Sequence, residues 1–447
     1  MKKIIVLTIT LTLGSLAMFR MLHAQDAKIN ISGPGGQPSL AVIDFRGAGA
    51  AQPVMSAFNG TLFTDLQTSG IFKMVAKSLY PLQNPQRPED LRPSSGQGLA
   101  LADWAGSPVN ASHLAYGYTA DQNGTLVLYG YLNVTNAPTS QPLLYKRYFG
   151  SLDEGGARKV AHEFAADIIA QFGGASLAGT KIYFVSSRTG AKEIWSMDYD
   201  GSNQKQLTFN RSIDIEPAVS PDGTKIAYVS FAKGTPHIVL MDSASGRTMP
   251  FYNQQASLNS SPSFSPDGSK IYYSSSVSGT AQIYVADLDG RNFRRISNSR
   301  AVEVEPKVNP KSPNLMAFSS GRSGPEQVYE GSTDGGDVQQ LTDGTGEASN
   351  PSWNPDGLHL LYAWTRGYAQ GAFNIFLMDT ATRHYDQLTS GAGRNENPSW
   401  APDGRHLCFM STRTGSAQIW TMLADGSQLQ RLTTTGQNLS PVWGKGN

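Results

Sequence analysis

The sequence predicts a six-bladed β-propeller preceded by a mixed α/β domain. Three observations lead to this fold class: a repeat of about 45 residues, strand-like alternation within each copy, and a non-repeating segment ahead of the first copy. A repeat of that length is typical of a four-stranded propeller blade and is too long for most helical solenoid repeats. The chain of 447 residues has room for about two such domains.

Each copy of the repeat contains a polar residue followed by proline, and the successive prolines are 45, 44, 45, 47 and 43 residues apart. The six prolines are Pro217, Pro262, Pro306, Pro351, Pro398 and Pro441. Within each full copy, a strand of alternating apolar and polar residues follows the turn. A later strand of the copy ends in an apolar residue followed by Thr or Ser, as in Gln206-Leu207-Thr208. Such period-two alternation indicates strands packed between neighbouring blades.

Four copies continue into a Pro-Asp-Gly turn, in which proline sets φ, aspartate favours the next position and glycine takes the left-handed conformation. The four aspartates are Asp222, Asp267, Asp356 and Asp403. A ring of aspartates could also suggest a metal or acid-base site, but the turn explains their spacing, and we interpret them as turn formers. The copy at Asn309-Pro310-Lys311-Ser312-Pro313 lacks the Asp-Gly pair and predicts a looser hairpin.

The two ends of the repeat region predict how the ring closes. The first copy begins at Lys181 without a proline strand before it, and the last ends on Ser440-Pro441-Val442-Trp443 without a hairpin after it. The C-terminal strand should therefore complete the first blade, which joins the ends of the ring and hides a sheet edge.

The segment before the repeats predicts an α/β domain over residues 25–176, with the propeller over 177–447. Residues 40–45 and 71–75 resemble buried strands, and residues 114–119 and 126–134 a hairpin. Two amphipathic helices and a further strand at 143–149 complete the domain. The first helix opens at Pro53 and buries Met55, Phe58, Leu62 and Leu66, and the second buries Val160, Phe164, Ile168 and Phe172. Residues 81–98, rich in Pro, Ser and Gln, should form a surface loop.

Residues 1–24 have the pattern of a secretory signal: Met1-Lys2-Lys3, an apolar run from Ile4 to Leu16, and a plausible cleavage site before Gln25. No later segment is long and apolar enough to span a bilayer, so we expect an exported protein without membrane insertion. The formal net charge of +1, from 36 basic and 35 acidic residues, indicates no nucleic-acid partner. The single cysteine, Cys408, cannot form an internal disulfide.

Catalytic motifs are not signalled. The chain lacks a complete Gly-x-Ser-x-Gly elbow, and His162-Glu163 is not followed by the second histidine of a zinc-protease helix. The seven histidines show no ligand spacing. We predict no enzyme, cofactor or metal site.

Strand direction separates two faces of the predicted ring. The Pro-Asp-Gly turns share one face with the tight connections between third and fourth strands, whereas the other face collects the longer loops, which more often carry binding sites. On that long-loop face, polar residues should surround the channel mouth, with four arginines around them. The candidate binding residues are Glu216, Asn259, Ser261, Glu305, Asn350, Asn397, Ser440, Arg188, Arg322, Arg366 and Arg413. Alternatively, these groups only cap strands and solvate the rim.

Several segments carry a resemblance to the TolB family of the bacterial Tol-Pal system. They are the Pro-Asp-Gly hairpins, residues 26–33, 40–45 and 65–72, and Lys159-Val160-Ala161-His162-Glu163 near the linker. The resemblance implies a periplasmic, monomeric, non-enzymatic adaptor that supports outer-membrane integrity and constriction at cell division. It also implies that the propeller face binds a Pal-like peptidoglycan-associated lipoprotein, and that an N-terminal strand binds a TolA-like inner-membrane protein. That strand comprises Asp26, Ala27, Lys28, Ile29, Asn30, Ile31, Ser32 and Gly33. The alternative is a propeller enzyme or accessory subunit acting on exported peptides or glycans.

Overall fold

The computed structural model describes residues 36–92, 99–137 and 141–446. The predicted signal sequence and the predicted partner-binding strand from Asp26 to Gly33 lie outside these ranges. Within them, no helix has the length and apolar character needed to cross a membrane.

The N-terminal part is a mixed sheet with two long helices. Its strands are β1 (Ser39–Val42), β2 (Arg46–Ala48), β3 (Lys73–Met74), β4 (Leu91–Arg92), β5 (Leu99–Ala100), β6 (His113–Gln122), β7 (Thr125–Val134) and β8 (Leu144–Ser151). Its helices are α1 (Met55–Thr68), α2 (Ala102–Ala105) and α3 (Glu154–Gln171). The main sheet has the order β3-β1-β6-β7-β8, and β2 pairs with β6. β1 is parallel to both neighbours, whereas β6, β7 and β8 are antiparallel.

Helices α1 and α3 pack together and cover the sheet with their apolar sides. The predicted face of α1 is confirmed, because Met55, Phe58, Leu62 and Leu66 are all buried. In α3, Val160, Phe164 and Ile168 are fully buried, while Phe172 caps the helix and packs edge-on against Phe72. Asp153 begins α3 by accepting a hydrogen bond from the Gly156 backbone N–H at 2.7 Å, which satisfies one free donor of the first turn.

The described part of the expected surface loop, residues 81–92, is more structured than predicted, and the rest of that loop, residues 93–98, lies outside the described residues. Leu91, in β4, is buried, and β4 pairs in parallel with β5. The guanidinium of Arg87 also lies 4.8 Å from the centre of the Tyr118 ring. Proline and serine content predicted a loop, but one leucine with a hydrophobic surface beneath it is enough to dock part of the segment.

Six four-stranded antiparallel sheets follow and form the propeller. We number the blades 1 to 6 from Thr180 onward. The inner strands of blades 1 to 6 are Asn438–Lys445, Asp214–Val219, Asn259–Phe264, Glu303–Val308, Ala348–Trp353 and Asn395–Trp400. The second strands are Thr180–Thr189, Lys225–Ser230, Lys270–Ser275, Leu315–Ser320, His359–Trp364 and His406–Ser411. The third strands are Ala191–Asp198, His237–Asp242, Gln282–Asp287, Gln327–Ser332, Asn374–Asp379 and Gln418–Leu423. The fourth strands are Lys205–Gln206, Thr248–Met249, Arg294–Arg295, Gln339–Gln340, Tyr385–Gln387 and Gln430–Arg431.

The predicted closure of the ring is confirmed. Asn438–Lys445 pairs antiparallel with Thr180–Thr189 and becomes the inner strand of blade 1. The Trp443 side chain is buried beside it, and its indole N–H donates to the Thr180 hydroxyl at 2.9 Å. The two ends of the repeat region therefore share one sheet, so no blade edge remains open there.

The Pro-Asp-Gly hairpins have the predicted turn geometry. Gly223, for example, has a φ of +76°, and Asp222 accepts hydrogen bonds from the Thr224 backbone N–H and the Ser220 hydroxyl. The irregular hairpin at Asn309 is one residue longer but is also closed by hydrogen bonds: the Asn309 side-chain oxygen accepts from the backbone N–H groups of Lys311 and Ser312, both at 2.9 Å. The asparagine thus replaces the missing aspartate.

Candidate partner-binding face of the propeller

Strand direction defines two faces of the propeller. The turn face carries the Pro-Asp-Gly hairpins and the connections between third and fourth strands. The loop face carries the connections between blades and those between second and third strands. Because inner strands run from the loop face to the turn face, each begins at the loop-face end of the channel.

The N-terminal domain packs against the turn face at blades 1 and 6. Asp65, at the end of α1, is buried between His162 of α3 and Tyr199 of blade 1. One carboxylate oxygen contacts His162 Nδ1 at 2.6 Å, and the other accepts a hydrogen bond from the Tyr199 hydroxyl. The loop face thus lies on the side of the propeller opposite this domain contact.

A second domain contact is made through blade 6. His406 is buried, with Nδ1 2.6 Å from the Asp403 carboxylate and Nε2 2.7 Å from the Thr68 carbonyl oxygen at the end of α1. The aspartate of a Pro-Asp-Gly turn therefore also orients a histidine that joins the two domains.

The predicted polar residues do form a ring at the channel mouth, and all six have a left-handed backbone with φ between 46° and 59°. They are Glu216, Ser261, Glu305, Asn350, Asn397 and Ser440. In each blade, the strand pairing shifts by one residue at this position, which is a β-bulge. The following proline disfavours the right-handed helical region for these residues, and a left-handed residue other than glycine costs roughly 1–2 kcal/mol.

Side chains of the ring connect neighbouring blades. Glu216 Oε2 accepts from the Ser261 backbone N–H at 2.6 Å. Glu305 Oε2 accepts from the Asn350 backbone N–H at 2.7 Å and from the Ser319 hydroxyl at 2.7 Å. Asn350 Oδ1 accepts in turn from the Asn397 backbone N–H at 3.3 Å. The ring is thus part of the scaffold as well as the edge of a possible binding site.

Below the ring, the channel is a cavity of about 490 Å³ that extends along the inner strands. Its wall consists mainly of the repeat prolines and of Phe264, Val308, Trp353, Trp400 and Trp443. Lys307 is the basic residue that follows the ring in blade 4 and also lines this cavity. Burial lowers the pKa of Lys307, although the charges of Glu305 and Glu216 oppose that shift. Burial raises the pKa of Glu216, a shift that the hydrogen bonds from Ser261 oppose and the charge of Glu305 reinforces.

The four predicted arginines lie away from the ring, each packed on its own blade. Arg188 lies over the rings of Phe184 and Trp195, and the guanidinium donates to the Ser186 hydroxyl and the Asn438 amide oxygen. Arg322, Arg366 and Arg413 likewise stack on two aromatic rings each. Arg322 also pairs with the buried Glu303. These contacts favour the alternative that the arginines cap strands at the rim.

Asn259 also lies apart from the mouth. It is 2% exposed at the start of the blade 3 inner strand, and its amide donates to the Gln254 carbonyl oxygen at 2.9 Å. Equivalent positions hold Asn438, Asp214, Glu303, Ala348 and Asn395, which are all fully buried. This position belongs to the packing between strands.

The loop face also exposes apolar and acidic groups that sequence reasoning did not single out. Large apolar side chains stand in its loops: Phe209 is 71% exposed, and Ile213, Val277, Val302 and Tyr368 are exposed as well. On blades 4 and 5, burial together with the charges of Glu305 and Glu347 raises the pKa of Glu326 to about 7. An apolar residue placed between strands in the repeat is the signal that could have revealed Phe209 and Val302.

Within the described ranges, no group of three or more His, Cys, Asp or Glu side chains is arranged to hold a metal ion. The fold and the loop face together define a two-domain β-propeller protein, with polar residues around an open channel mouth and exposed apolar side chains in the loops of the same face. The chain matches the family model described as the TolB beta propeller domain over residues 170–367 and 343–446. It therefore belongs to the TolB propeller family.

Relatives and a solved structure agree with this assignment. The chain is 34% identical over 184 residues to a protein TolB homolog of Chlorobium luteolum, and the aligned part covers 41% of this chain and 39% of the relative. It is 33% identical over 211 residues to the Tol-Pal system protein TolB of Geobacter metallireducens, covering 46% of each chain. The matched parts thus span less than half of these relatives. The crystal structure of TolB from Acinetobacter baumannii superimposes with a TM-score of 0.75 at 23% identity, covering 92% of this chain and 97% of that one, and shows the same fold.

Proposed function

We propose that this chain is a periplasmic, non-enzymatic adaptor of the Tol-Pal system. Its loop face would bind a Pal-like peptidoglycan-associated lipoprotein, and residues Asp26 to Gly33 would bind a TolA-like inner-membrane protein. Such a two-ended adaptor couples the inner membrane to the outer membrane and cell wall, and so supports envelope integrity and constriction at division. Membership of the TolB propeller family and the names of its relatives support this proposal.

The observation that carries the proposal is the exposed apolar loop face. Phe209, Ile213 and Val302 stand on blade connections of the loop face, on the side opposite the N-terminal domain. Exposed apolar groups rimmed by polar ones are typical of protein interaction sites. Glu326 adds a carboxylate held among like charges, which a basic side chain of the partner would stabilise.

The test is a pull-down from solubilised envelope with the chain from Gln25 onward. A double variant Phe209→Asp and Val302→Asp should lose a peptidoglycan-binding lipoprotein, since two charges would enter the apolar contact. A deletion of residues 26–33 should retain that lipoprotein and lose an inner-membrane protein. The matched control, Phe293→Asp with Leu358→Asp, places the same charges at exposed positions next to hairpins of the turn face and should retain both partners.

Absence of any specific partner from every form would contradict the adaptor. Turnover of a peptide or glycan library by the same protein would instead support the enzyme alternative. Loss of the lipoprotein in both double variants would indicate damage to the propeller rather than to a binding face.

A further inference from the structure

Lys307 is a charged side chain in the channel wall that the surrounding scaffold does not use. Lys307 stands two residues after the ring residue Glu305, which places it about 6 Å below the mouth at the rise of a strand. The equivalent positions in the other blades hold small or apolar residues: Ala218, Ser263, Ser352, Ser399 and Val442. Blade 4 alone therefore places a cation at this depth of the channel wall.

The ammonium group has no direct partner among the residues that the structure describes. No hydrogen bond and no ion pair within 4.0 Å joins the Lys307 side chain to residues 36–92, 99–137 or 141–446. The two acidic neighbours interact with it only at longer range, because Glu216 is bound to Ser261 and Glu305 to Asn350 and Ser319. Their carboxylates are thus held at the mouth, above the lysine.

Lys307 is partly buried in a channel lined by prolines and tryptophans, and its ammonium has no counter-ion in contact. Removing a charge from water without a partner costs free energy, and an anion that enters the channel would relieve that cost. We propose that Lys307 binds a single carboxylate side chain, aspartate or glutamate, on a loop that the protein partner inserts into the channel. This inference rests on the proposed function, since it assumes that a protein binds the loop face.

The surroundings of Lys307 explain why one carboxylate fits and a polyanion does not. Glu216 and Glu305 stand at the mouth, and Glu326, on the same face, lies close to both Glu305 and Glu347. Nucleic acid or a polyanionic glycan would meet these charges before reaching the lysine. A loop with one acidic residue flanked by neutral or basic residues would avoid that repulsion and could also contact the acidic mouth.

The apolar wall supports a side chain rather than a free ion. Trp353, Trp400, Phe264 and Val308 line the same cavity as Lys307, and the cavity volume of about 490 Å³ has room for a few side chains. Burying the stem of a glutamate and the loop beside it contributes apolar contact that an inorganic anion lacks.

The first arm of the test measures the affinity of the chain from Gln25 onward for the Pal-like lipoprotein of the same organism, prepared without its lipid. Lys307→Met should raise Kd about tenfold or more, Lys307→Arg should keep it within about threefold, and Lys307→Glu should weaken it further. Lys311→Met is the matched control, because Lys311 is an exposed lysine on the hairpin at the other end of the same inner strand. One acidic residue of the partner, changed to lysine, should restore binding to the Lys307→Glu protein.

The second arm does not depend on that partner. Lysines are ¹³C-dimethylated, and the Lys307 methyl signal is assigned by its loss in Lys307→Met. The peptide acetyl-Gly-Glu-Gly-amide should shift this signal, whereas acetyl-Gly-Gln-Gly-amide should not.

The two arms separate the two proposals. If the lipoprotein does not bind the wild-type chain but the glutamate peptide shifts Lys307, the proposed partner is wrong and the carboxylate site stands. If Lys307→Met binds the lipoprotein as tightly as the wild-type chain, the channel inference is overturned and the adaptor stands. No lipoprotein binding together with no peptide-specific shift overturns both.

Discussion

At the scale of single residues, the same position serves several purposes around the ring. Each of the six mouth residues adopts the left-handed backbone that the bulge before proline requires, yet their side chains differ. The two glutamates hold the next blade by accepting a backbone hydrogen bond, whereas Ser440 is too short to bridge blades in this way. The backbone geometry is thus a constant of the repeat, and the side chain is free to vary.

Ser440 therefore isolates the backbone requirement. Ser440→Val should lower the free energy of unfolding by about 1–3 kcal/mol, because a β-branched residue tolerates a φ of +46° poorly. Ser440→Gly should change it by less than about 1 kcal/mol, since glycine adopts this conformation freely. Urea unfolding of both variants checks the prediction. Equal effects of valine and glycine would mean that the serine side chain, rather than φ, determines stability here.

At the scale of the blade, the sequence predicts the face of the propeller on which a residue lies better than it predicts the distance of that residue from the central channel. Chain order places the arginines at the loop-face ends of the second strands, Arg188 within its strand and the other three just after theirs. Whether a residue there points toward the channel depends on the distance of its strand from the centre. Inner strands and the turns that follow them line the cavity, so Glu216 and Ser261 reach the mouth while Arg188 packs on its own blade.

Dependence on three-dimensional packing also explains why other features of the structure differ from the sequence predictions. Apolar residues at helical spacing identified the buried faces of α1 and α3, and turn chemistry identified the four hairpins, because both depend on nearby residues. The docking of Leu91 on the domain core and the burial of Asn259, whose backbone N–H donates to the Pro236 carbonyl oxygen, depend on neighbours distant in sequence. The sequence shows Lys307 as the charged residue at a repeat position that otherwise holds small or apolar residues. That its ammonium has no counter-ion in contact is a property of the folded structure, which the sequence does not show.

The arginine packing predicts a stability role separate from binding. Arg413 lies over Phe409 and Trp420 and donates to the Ser411 hydroxyl and to the Asn395 amide oxygen at 2.9 and 3.0 Å. Arg413→Met keeps the aliphatic stem but removes these contacts, and should destabilise the protein by about 1–3 kcal/mol. Arg300→Met, at an exposed loop-face residue, should have little effect on urea unfolding. If Arg413→Met instead left stability intact and abolished partner binding, the arginine would belong to the binding face.

At the scale of the whole molecule, two carboxylate-histidine pairs link the propeller to the N-terminal domain. Asp403 and His406 reach α1 from blade 6, and Asp65 is shared by His162 and Tyr199. Burial alone would lower the pKa of His162, but the hydrogen bond and charge of Asp65, helped by Asp200 and Asp198, outweigh it and raise the pKa. The domain contact is therefore linked to pH.

A histidine pKa raised by folding means that the folded state holds the proton more tightly than the unfolded chain. The stabilisation is fully present below the ordinary histidine pKa of about 6.5, and it is lost as pH rises through the raised value in the folded protein. His162→Gln should remove this pH dependence, because glutamine can donate a hydrogen bond to Asp65 but carries no charge. The expected readout is faster amide hydrogen exchange at residues 64–70 in the variant, by about five- to tenfold at pH 5.5 and by little at pH 8.5.

His359 provides the matched control for this prediction. It forms the same kind of contact with Asp356 at 2.6 Å, and its pKa is also raised, chiefly by the hydrogen bond to Asp356. The pair lies in blade 5, however, and the contacts described above join the N-terminal domain to blades 1 and 6. His359→Gln should therefore leave exchange at residues 64–70 unchanged at both pH values. An equal effect of the two variants, or an effect of His162→Gln that did not vary with pH, would show that the charge of His162 does not hold the domains together.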